Sequence, residues 1–286
     1  MTAAPIHPPV PDPALGDPGC AGTGVVAVER RSLAGVDADL DWVAEEVPVS
    51  LEYNGIAHAV MLATPADLED FALGFSLTEG IAATAADIRG VEVDILPQGI
   101  ALRIELAGRR FDLLKRRRRA LAGRTGCGLC GAESLDQVMR DLPVVAATTT
   151  FRPSTLAEAL ARLRAGQHLL GKTGATHAAG WMDAGGNVAL VREDVGRHNA
   201  LDKLIGALAR QGTDAAAGAA LVTSRASFEM VQKAAAAGIG MLIAVSAPTL
   251  LAVHTAARLG VTLAGFARQD RSVVYAHGWR LTEDAS

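Results

Sequence analysis

Residues 220–265, ALVTSRASFEMVQKAAAAGIGMLIAVSAPTLLAVHTAARLGVTLAG, decide the fold. They contain three short apolar runs, separated by two segments whose apolar residues have helical spacing. Ser227 precedes the first helical segment and Gly238 follows it, while Gly260 follows the second. Serine caps the start of helices and glycine ends them. This alternation predicts right-handed βαβ crossovers and a parallel sheet covered on both faces, with strands at 220–223, 240–245 and 261–265.

A polar or basic segment follows each of the three apolar runs. In open α/β sheets, ligands bind outside the carboxyl ends of the strands. The sequence therefore predicts a phosphate or nucleotide pocket where these segments meet. The segments are residues 223–225, 246–247 and 266–271.

Strict alternation of apolar and polar residues predicts a β-rich region earlier in the chain. Residues 47–53 and 56–62 alternate on either side of Asn54-Gly55. Asn-Gly accepts the positive φ values of a type I′ hairpin turn. A helix is then predicted to begin at Thr64-Pro65 and to end at Gly80. A further alternating pair follows at 91–95 and 100–106.

These patterns divide the chain into four parts. Residues 1–24 are rich in proline and glycine and lack the basic start and apolar run of a signal peptide, so we expect a disordered tail. Residues 25–108 are predicted to form the β-rich region, 109–134 a mobile basic and glycine-rich surface loop, and 135–286 an α/β domain that binds a cofactor. The predicted fold class is α/β, with a smaller β-rich region before a larger α/β domain.

Composition excludes several classes of protein. Of the 286 residues, 50% are apolar and 20% are charged, which excludes a wholly disordered chain. The net charge of -4 does not favour nucleic-acid binding. Residues 234–253 are uncharged, but Gly238, Gly240, Ser246 and Pro248 divide them, so we expect no membrane span. Three cysteines are too few for a disulfide framework, which favours a cytoplasmic protein.

Cys127 and Cys130 form a Cys-x-x-Cys pair within TGCGLCG, residues 125–131. Such a pair can be half of a metal site, a redox dithiol or a sulfur carrier. The third cysteine, Cys20, lies in the predicted tail, so a four-cysteine metal site within one chain is excluded. The flanking glycines favour a thiolate on a loop, and the basic run at 115–119 would lower the pKa of a nearby thiol.

Two other motifs favour structural roles over catalytic ones. Residues 166–173, GQHLLGKT, fit the phosphate-binding pattern G-x-x-x-x-G-K-[ST], but a helix is predicted where that loop needs a preceding strand. We therefore do not expect nucleotide hydrolysis there. His198 and Asp202 are four residues apart in the predicted helix 197–210. We expect the carboxylate to orient a structural histidine, with catalysis as the alternative.

Together, several segments resemble the formate dehydrogenase accessory sulfurtransferase family, FdhD/NarQ. They span nearly everything after residue 40, and their order and number make the resemblance specific. One departure is Gly174-Ala175, where the family usually has two glycines. The matching segments are Phe111-Asp112-Leu113, TGCGLCG at 125–131, Thr173-Gly174 with His177-Ala178-Ala179, REDVGRHNALDKLIG at 192–206, SRASFEMVQKAAAAG at 224–238, Ser246-Ala247-Pro248-Thr249, and Gly265-Phe266 with Val274-Tyr275-Ala276-His277.

The resemblance implies a cytoplasmic sulfur carrier that forms homodimers and holds no metal of its own tightly. Such a carrier takes sulfur from a cysteine desulfurase and passes it to the Mo-bis(molybdopterin guanine dinucleotide) cofactor before the cofactor enters formate dehydrogenase. The large domain is expected to be similar to the cytidine deaminase fold, without its zinc chemistry. The catalytic cysteine matches Cys127, with Cys130 as its partner, and the cofactor contacts match Phe266, Ala267, Arg268, Gln269, Asp270 and Arg271.

The implied chemistry is persulfide transfer through Cys127, with Arg225, Arg268 and Arg271 neutralising the phosphates of the cofactor. Three alternatives come from other classes of protein. They are a thiol–disulfide oxidoreductase, a dimeric metal-binding module with one cysteine pair from each subunit, and a cofactor-binding chaperone that needs no cysteine. Neither nucleic acid nor a membrane is an expected partner.

Overall fold

The computed structural model describes residues 21–33, 35–122, 140–268 and 271–282, and for residues 117–122 it describes the backbone alone. Twelve strands in three sheets and seven α-helices lie within these residues, which confirms the predicted α/β class. The predicted loop cysteines, Cys127 and Cys130, lie outside the described residues, as do Gln269, Asp270 and most of the predicted tail.

The N-terminal region contains a two-stranded ribbon and a four-stranded sheet. The ribbon pairs β1 (Thr23–Ser32) with β2 (Gly35–Ala44) and begins inside the predicted tail. The sheet has the order β4-β3-β6-β5. Asn54 and Gly55, at φ values of 47° and 79°, form the predicted positive-φ turn between β3 and β4. The strands of the sheet are β3 (Val47–Tyr53), β4 (Ile56–Ala63), β5 (Ile88–Leu96) and β6 (Gly99–Leu106).

One helix, α1 (Leu68–Thr78), packs on this sheet through Phe71 and Phe75. It starts later than the predicted Thr64-Pro65, because the backbone of Thr64 is bound elsewhere: its N–H donates to Asp194 and its carbonyl accepts from Lys203. Gly80, at a φ of 67°, follows the helix as predicted.

The start of the predicted basic loop is a helix, α2 (Gly108–Ala122), so the expectation of a mobile surface segment from residue 109 was wrong there. Phe111 and Leu114 pack into the core of the four-stranded sheet. Arg110 donates to the carbonyl oxygens of Gly80 and Ile81 at 2.7 and 2.9 Å. These contacts stabilise a helix that is otherwise dominated by like charges.

The C-terminal region contains a six-stranded sheet with the order β12-β11-β10-β9-β7-β8. From β9 to β11 its helices and strands follow the predicted alternation, whereas β7 was not predicted. They are α3 (Ser154–Ala165), α4 (His168–Thr173), β7 (His177–Asp183), β8 (Val188–Asp194), α5 (Arg197–Gln211), β9 (Gly218–Val222), α6 (Phe228–Ala236), β10 (Met241–Ala244), α7 (Leu250–Leu259), β11 (Thr262–Arg268) and β12 (Arg271–Ala276).

The prediction of a parallel arrangement for the three strands within residues 220–265 is confirmed, but the sheet also contains three antiparallel strands that this prediction did not cover. Strands β9, β10 and β11 are parallel, whereas β7, β8 and β12 are antiparallel to their neighbours. Parallel neighbours need a crossover of a dozen or more residues. The connections from β7 to β8 and from β11 to β12 are far shorter, so both pairs must be hairpins.

Helices cover both faces of this sheet, as predicted. One face packs against α5, α6 and α7 in a core that includes Leu204, Met230 and Ala256. The other face packs against α3 through Leu156 and Leu163. Residues 234–253 form the end of α6, the buried strand β10 and the start of α7, as expected. No helix within the described residues is long and apolar enough to cross a bilayer.

Helices α1, α5 and α6 join the two regions, and we call their contact the helix interface. A Cβ atom on Gly74 would lie 1.7 Å from the carbonyl oxygen of Asp202, and one on Gly206 would lie 1.9 Å from that of Asp70. Only glycine permits such an approach of two helix backbones. The two regions are therefore in direct main-chain contact.

Candidate functional site

The three polar segments predicted to form a pocket lie together at one edge of the six-stranded sheet. We call this edge, residues 223–225, 246–247 and 266–268 with Arg271, the sheet rim. The Ala226 N–H donates to the carbonyl of Ala247 at 3.2 Å, and the Phe266 N–H donates to that of Ser246 at 3.1 Å. These hydrogen bonds join the carboxyl ends of β9, β10 and β11, as the predicted topology required.

The sheet rim contains three basic side chains. Arg225, Arg268 and Arg271 are all exposed. Among the described residues, no carboxylate pairs with any of the three. An arginine without a carboxylate partner keeps its planar set of donors for an anionic ligand, such as a phosphate or a carboxylate. The binding of phosphate groups at the rim stays a prediction.

Phe266 has an unusual backbone conformation at the sheet rim. Its φ is 50°, and its side chain is 43% exposed. The pairing of β11 with β12 changes register between Gly265 and Arg268, so Phe266 lies in a bulge. Bulges of this kind re-aim side chains and are common beside functional sites. Phe266 is a predicted site residue, but its backbone conformation was not predicted.

His177 extends the rim onto β7 and was not among the predicted site residues. The next residue, Ala178, forms two hydrogen bonds with Thr223. The Ala178 carbonyl accepts from the Thr223 N–H, and the Ala178 N–H donates to the Thr223 hydroxyl. Burial and the nearby guanidinium of Arg197 lower the pKa of His177. A neutral imidazole at this place can donate or accept a hydrogen bond. The available signal was its position within a segment that matched the family.

The predicted partnership of Asp202 with His198 was wrong. Asp202 instead accepts from Thr78 at 2.7 Å and from Lys233 at 2.9 Å. His198 Nε2 lies 2.9 Å from Glu229 Oε2, without the geometry of a hydrogen bond. Burial, against the opposing charge of Glu229, lowers the pKa of His198 to about 4. Near neutral pH this histidine is therefore an uncharged group beside a carboxylate.

Most of the charged residues in the 192–203 motif have structural roles. Lys203 and Asp194 form a fully buried ion pair at 2.7 Å, and Asp194 also accepts from Thr64, Gly196 and Asn199. Buried charges with all their partners present are typical of structural networks. Through its contacts with Thr64, this motif therefore stabilises the packing of the two regions.

The segment that resembles a phosphate-binding loop does not form one. Helix α3 precedes it, as predicted, and residues 168–173 are the short helix α4. The Glu193 carboxylate accepts from the N–H groups of Leu169 and Leu170 at 2.8 and 2.9 Å. The amides that would hold a phosphate are therefore already bound to a carboxylate.

The described residues on either side of the cysteine segment meet at the end of α1. Arg110 donates to Gly80 and Ile81, and Arg140 donates to the carbonyl of Thr78. The Arg140 N–H also donates to Gln232 Oε1 at 2.9 Å. Cations at a helix carboxyl end are favourable. Within the described residues, no cluster of three or more His, Cys, Asp or Glu side chains could hold a metal ion.

Comparisons with known proteins agree with the resemblance seen in the sequence. A model of the FdhD/NarQ family matches residues 44–282. A protein of Cupriavidus necator named sulfur carrier protein FdhD is 57% identical over 286 residues, which are 100% of this chain and 98% of that one. A Bordetella petrii protein of the same name is 56% identical over 264 residues, 92% of this chain and 94% of that one.

A solved structure supports the fold. A protein from Desulfotalea psychrophila that carries the name formate dehydrogenase accessory protein superposes with a TM-score of 0.71 at 23% identity. The match covers 91% of this chain and 99% of that one. The expected similarity to cytidine deaminases remains a prediction.

Proposed function

The chain belongs to the FdhD/NarQ family, and from this membership we propose that it is a sulfur carrier for the maturation of formate dehydrogenase. The observation that carries the proposal is 57% identity over the full chain to a protein named sulfur carrier protein FdhD. The Cys127-x-x-Cys130 pair supplies the chemistry such a role needs. A cytoplasmic location, which keeps these thiols reduced, is part of the proposal.

Cys127 is the sulfur acceptor in this proposal. Its thiolate attacks the terminal sulfur of a persulfide on a cysteine desulfurase, so a new S–S bond forms on Cys127 as the old one breaks. The cysteine of the desulfurase leaves as a thiolate. The seven basic residues among positions 109–119 favour the thiolate form of a nearby cysteine. Cys130 then either receives the sulfur or helps to release it by forming a disulfide with Cys127.

The sheet rim binds the cargo, the Mo-bis(molybdopterin guanine dinucleotide) cofactor. The exposed Arg225, Arg268 and Arg271 suit the phosphates of its dinucleotide arms. Position and charge both support this role, since the rim lies at the carboxyl ends of parallel strands. We expect the carrier to act as a homodimer, with formate dehydrogenase receiving the loaded cofactor.

Intact-mass measurement tests the sulfur-carrier role. After incubation with a cysteine desulfurase and free cysteine, the full chain should gain the mass of a sulfur atom, and treatment with a reductant should remove it. Cys127→Ala should abolish the gain, whereas Cys20→Ala is the matched control and should load like the wild type. Equal loading of the wild type and Cys127→Ala would contradict the role of Cys127. Rapid reduction of a generic disulfide by the wild type would favour the oxidoreductase alternative.

A further inference from the structure

Helix α2 combines a strong positive charge with a place in the chain directly before the cysteine pair. Residues 109–119 contain seven basic residues and one acidic residue, a net charge of +6, so the remaining residues together carry -10. Cys127 is the fifth residue after Ala122, where α2 ends. Five residues of extended chain span at most about 18 Å. A protein bound to α2 is therefore within reach of the cysteine pair.

One side of α2 packs in the core and the other side is exposed. Phe111 and Leu114 contact the four-stranded sheet, whereas Arg109, Leu113 and Arg116 are exposed to solvent. Their spacing of four and three residues places these three on the same side of the helix. Leu113 is 41% exposed, so it presents an apolar side chain between two arginines. We call Arg109, Leu113 and Arg116 the basic face.

The arginines of the basic face lack an acidic partner. Within the part of the chain that the structure describes, neither Arg109 nor Arg116 forms an ion pair, and the one carboxylate of α2, on Asp112, lies 2.8 Å from Lys115. Like charges three and four residues apart destabilise a helix, so the stability of α2 does not explain the basic run. Guanidinium groups without partners keep their paired donors for carboxylates from outside the chain.

An acidic protein surface fits the basic face better than a nucleic acid or a membrane does. Interfaces between proteins are rich in arginine and combine an apolar centre with a polar rim. The basic face has no aromatic side chain on which bases could stack, and the net charge of -10 elsewhere repels a phosphate backbone. A single exposed leucine is too little apolar area to enter a bilayer.

We propose that the basic face is the docking surface for the sulfur donor, and that the donor presents carboxylates around an apolar patch to it. This inference rests on the proposed function, in which a cysteine desulfurase delivers sulfur to Cys127. Opposite charges on the two proteins raise the rate of their encounter. Docking on α2 also keeps the donor persulfide near the segment that must accept its sulfur.

Initial rates of persulfide formation test this docking surface. They are measured by intact mass on the full chain, with a cysteine desulfurase, saturating free cysteine and varied concentrations of the carrier. Arg109→Glu with Arg116→Glu should raise the KM for the carrier at least about tenfold and leave kcat unchanged, because docking governs encounter and not sulfur transfer. The KM of the wild type should also rise with ionic strength, since salt screens exposed charges.

The matched control changes the net charge of the chain by the same amount elsewhere. Arg152→Glu with Arg164→Glu alters two exposed arginines, one just before α3 and one within it. The KM of this control should stay within about twofold of the wild type, because charges beyond a Debye length are screened. A control that raises KM as much as the α2 variant would show that net charge alone matters, and the docking surface would be wrong.

Two further variants separate docking from an effect on the thiol. Leu113→Ser changes no charge and should still raise KM, whereas Arg109→Lys with Arg116→Lys keeps the charge and should keep a KM near that of the wild type. All these side chains are exposed, so the melting temperatures should match that of the wild type. If the glutamate variant instead lowers kcat at an unchanged KM and slows alkylation of Cys127 at neutral pH, the charge acts only on the thiol and the docking surface is wrong.

The two proposals fail in different ways. If the wild type gains no sulfur at any concentration of the carrier, the sulfur-carrier function is wrong and the docking surface with it. If the wild type is loaded and the glutamate variant has the same KM, the basic face does not bind the donor, and the sulfur-carrier function stands.

Discussion

The helix interface and the sheet rim differ in whether their charged groups have partners of opposite charge. At the helix interface, Lys233 bonds to Asp202, Glu79 and Thr78. At the sheet rim, Arg225, Arg268 and Arg271 have no carboxylate partner among the described residues. The interface is also free of backbone strain at its crossing glycines, whereas the rim contains Phe266 at a φ of 50°.

This difference shows how to separate structural from functional polar residues. A buried charge is stable only when its hydrogen bonds are satisfied, so a complete network identifies a group whose role is to hold the fold. Exposed cations without partners and a strained aromatic residue contribute little to stability. Their presence at one edge of a sheet is what the proposed cofactor site would require.

The largest expected effect comes from adding a single carbon at the helix interface. Gly206→Ala places a Cβ 1.9 Å from the Asp70 carbonyl oxygen, so α1 and α5 must separate. We expect a loss of more than about 4 kcal/mol in the free energy of unfolding, or no folded protein at all. Gly171→Ala is the matched control, since nothing lies within 4 Å of its added Cβ. Urea unfolding that shows equal stability for the two variants would contradict the main-chain contact.

A smaller effect is expected when the buried ion network loses one member. Burial alone would lower the pKa of Lys233, but Asp202 and Glu79 outweigh it and raise the pKa, so the amine stays charged. Lys233→Met leaves the Asp202 carboxylate without its cation and should cost about 3–5 kcal/mol. The double variant Lys233→Met with Asp202→Leu should recover much of that loss. Urea unfolding of the four proteins of this cycle gives the coupling energy, and simple additivity would argue against a direct pair.

The smallest effect concerns pH. The folded-state pKa of His198, about 4, lies below the ordinary value of 6.5, so protonation favours the unfolded chain. The stability due to this group is complete above about pH 6.5 and falls as the pH drops toward 4, by at most about 3 kcal/mol. His198→Gln should flatten that part of the stability curve, whereas His254→Gln, on the exposed side of α7, should not. Parallel curves for the wild type and His198→Gln would show that His198 does not contribute.

Local patterns in the sequence predicted much of the fold because their causes are local. The Asn54-Gly55 turn, the glycine after α1 and the alternation from β9 to β11 all follow from residue-level preferences. Strand direction does not, because β7 has the same apolar character whether its neighbours run parallel or antiparallel. Helix α2 was missed because charge dominated its composition, although the spacing of Phe111 and Leu114 already fits an anchored helical face.

In the candidate site too, local patterns were predicted and features that depend on distant contacts were not. Topology placed the 266–271 segment at the edge of the sheet, and the described part of it lies there. The carboxylate beside His198 could not be predicted, since Glu229 is on another helix and Asp202 is bound by Lys233. The φ of Phe266 depends on hydrogen bonds from β10 and pairing with β12, which no local pattern encodes.

The crossing of Gly74 and Gly206 restricts how the molecule could respond to the proposed cargo. Backbones this close cannot slide or rotate past each other without breaking the contacts of both helices, so the crossing opposes movement of one helix over the other. Adjustment to the proposed ligand is then expected in the short connections after the strands, where no such contact opposes it.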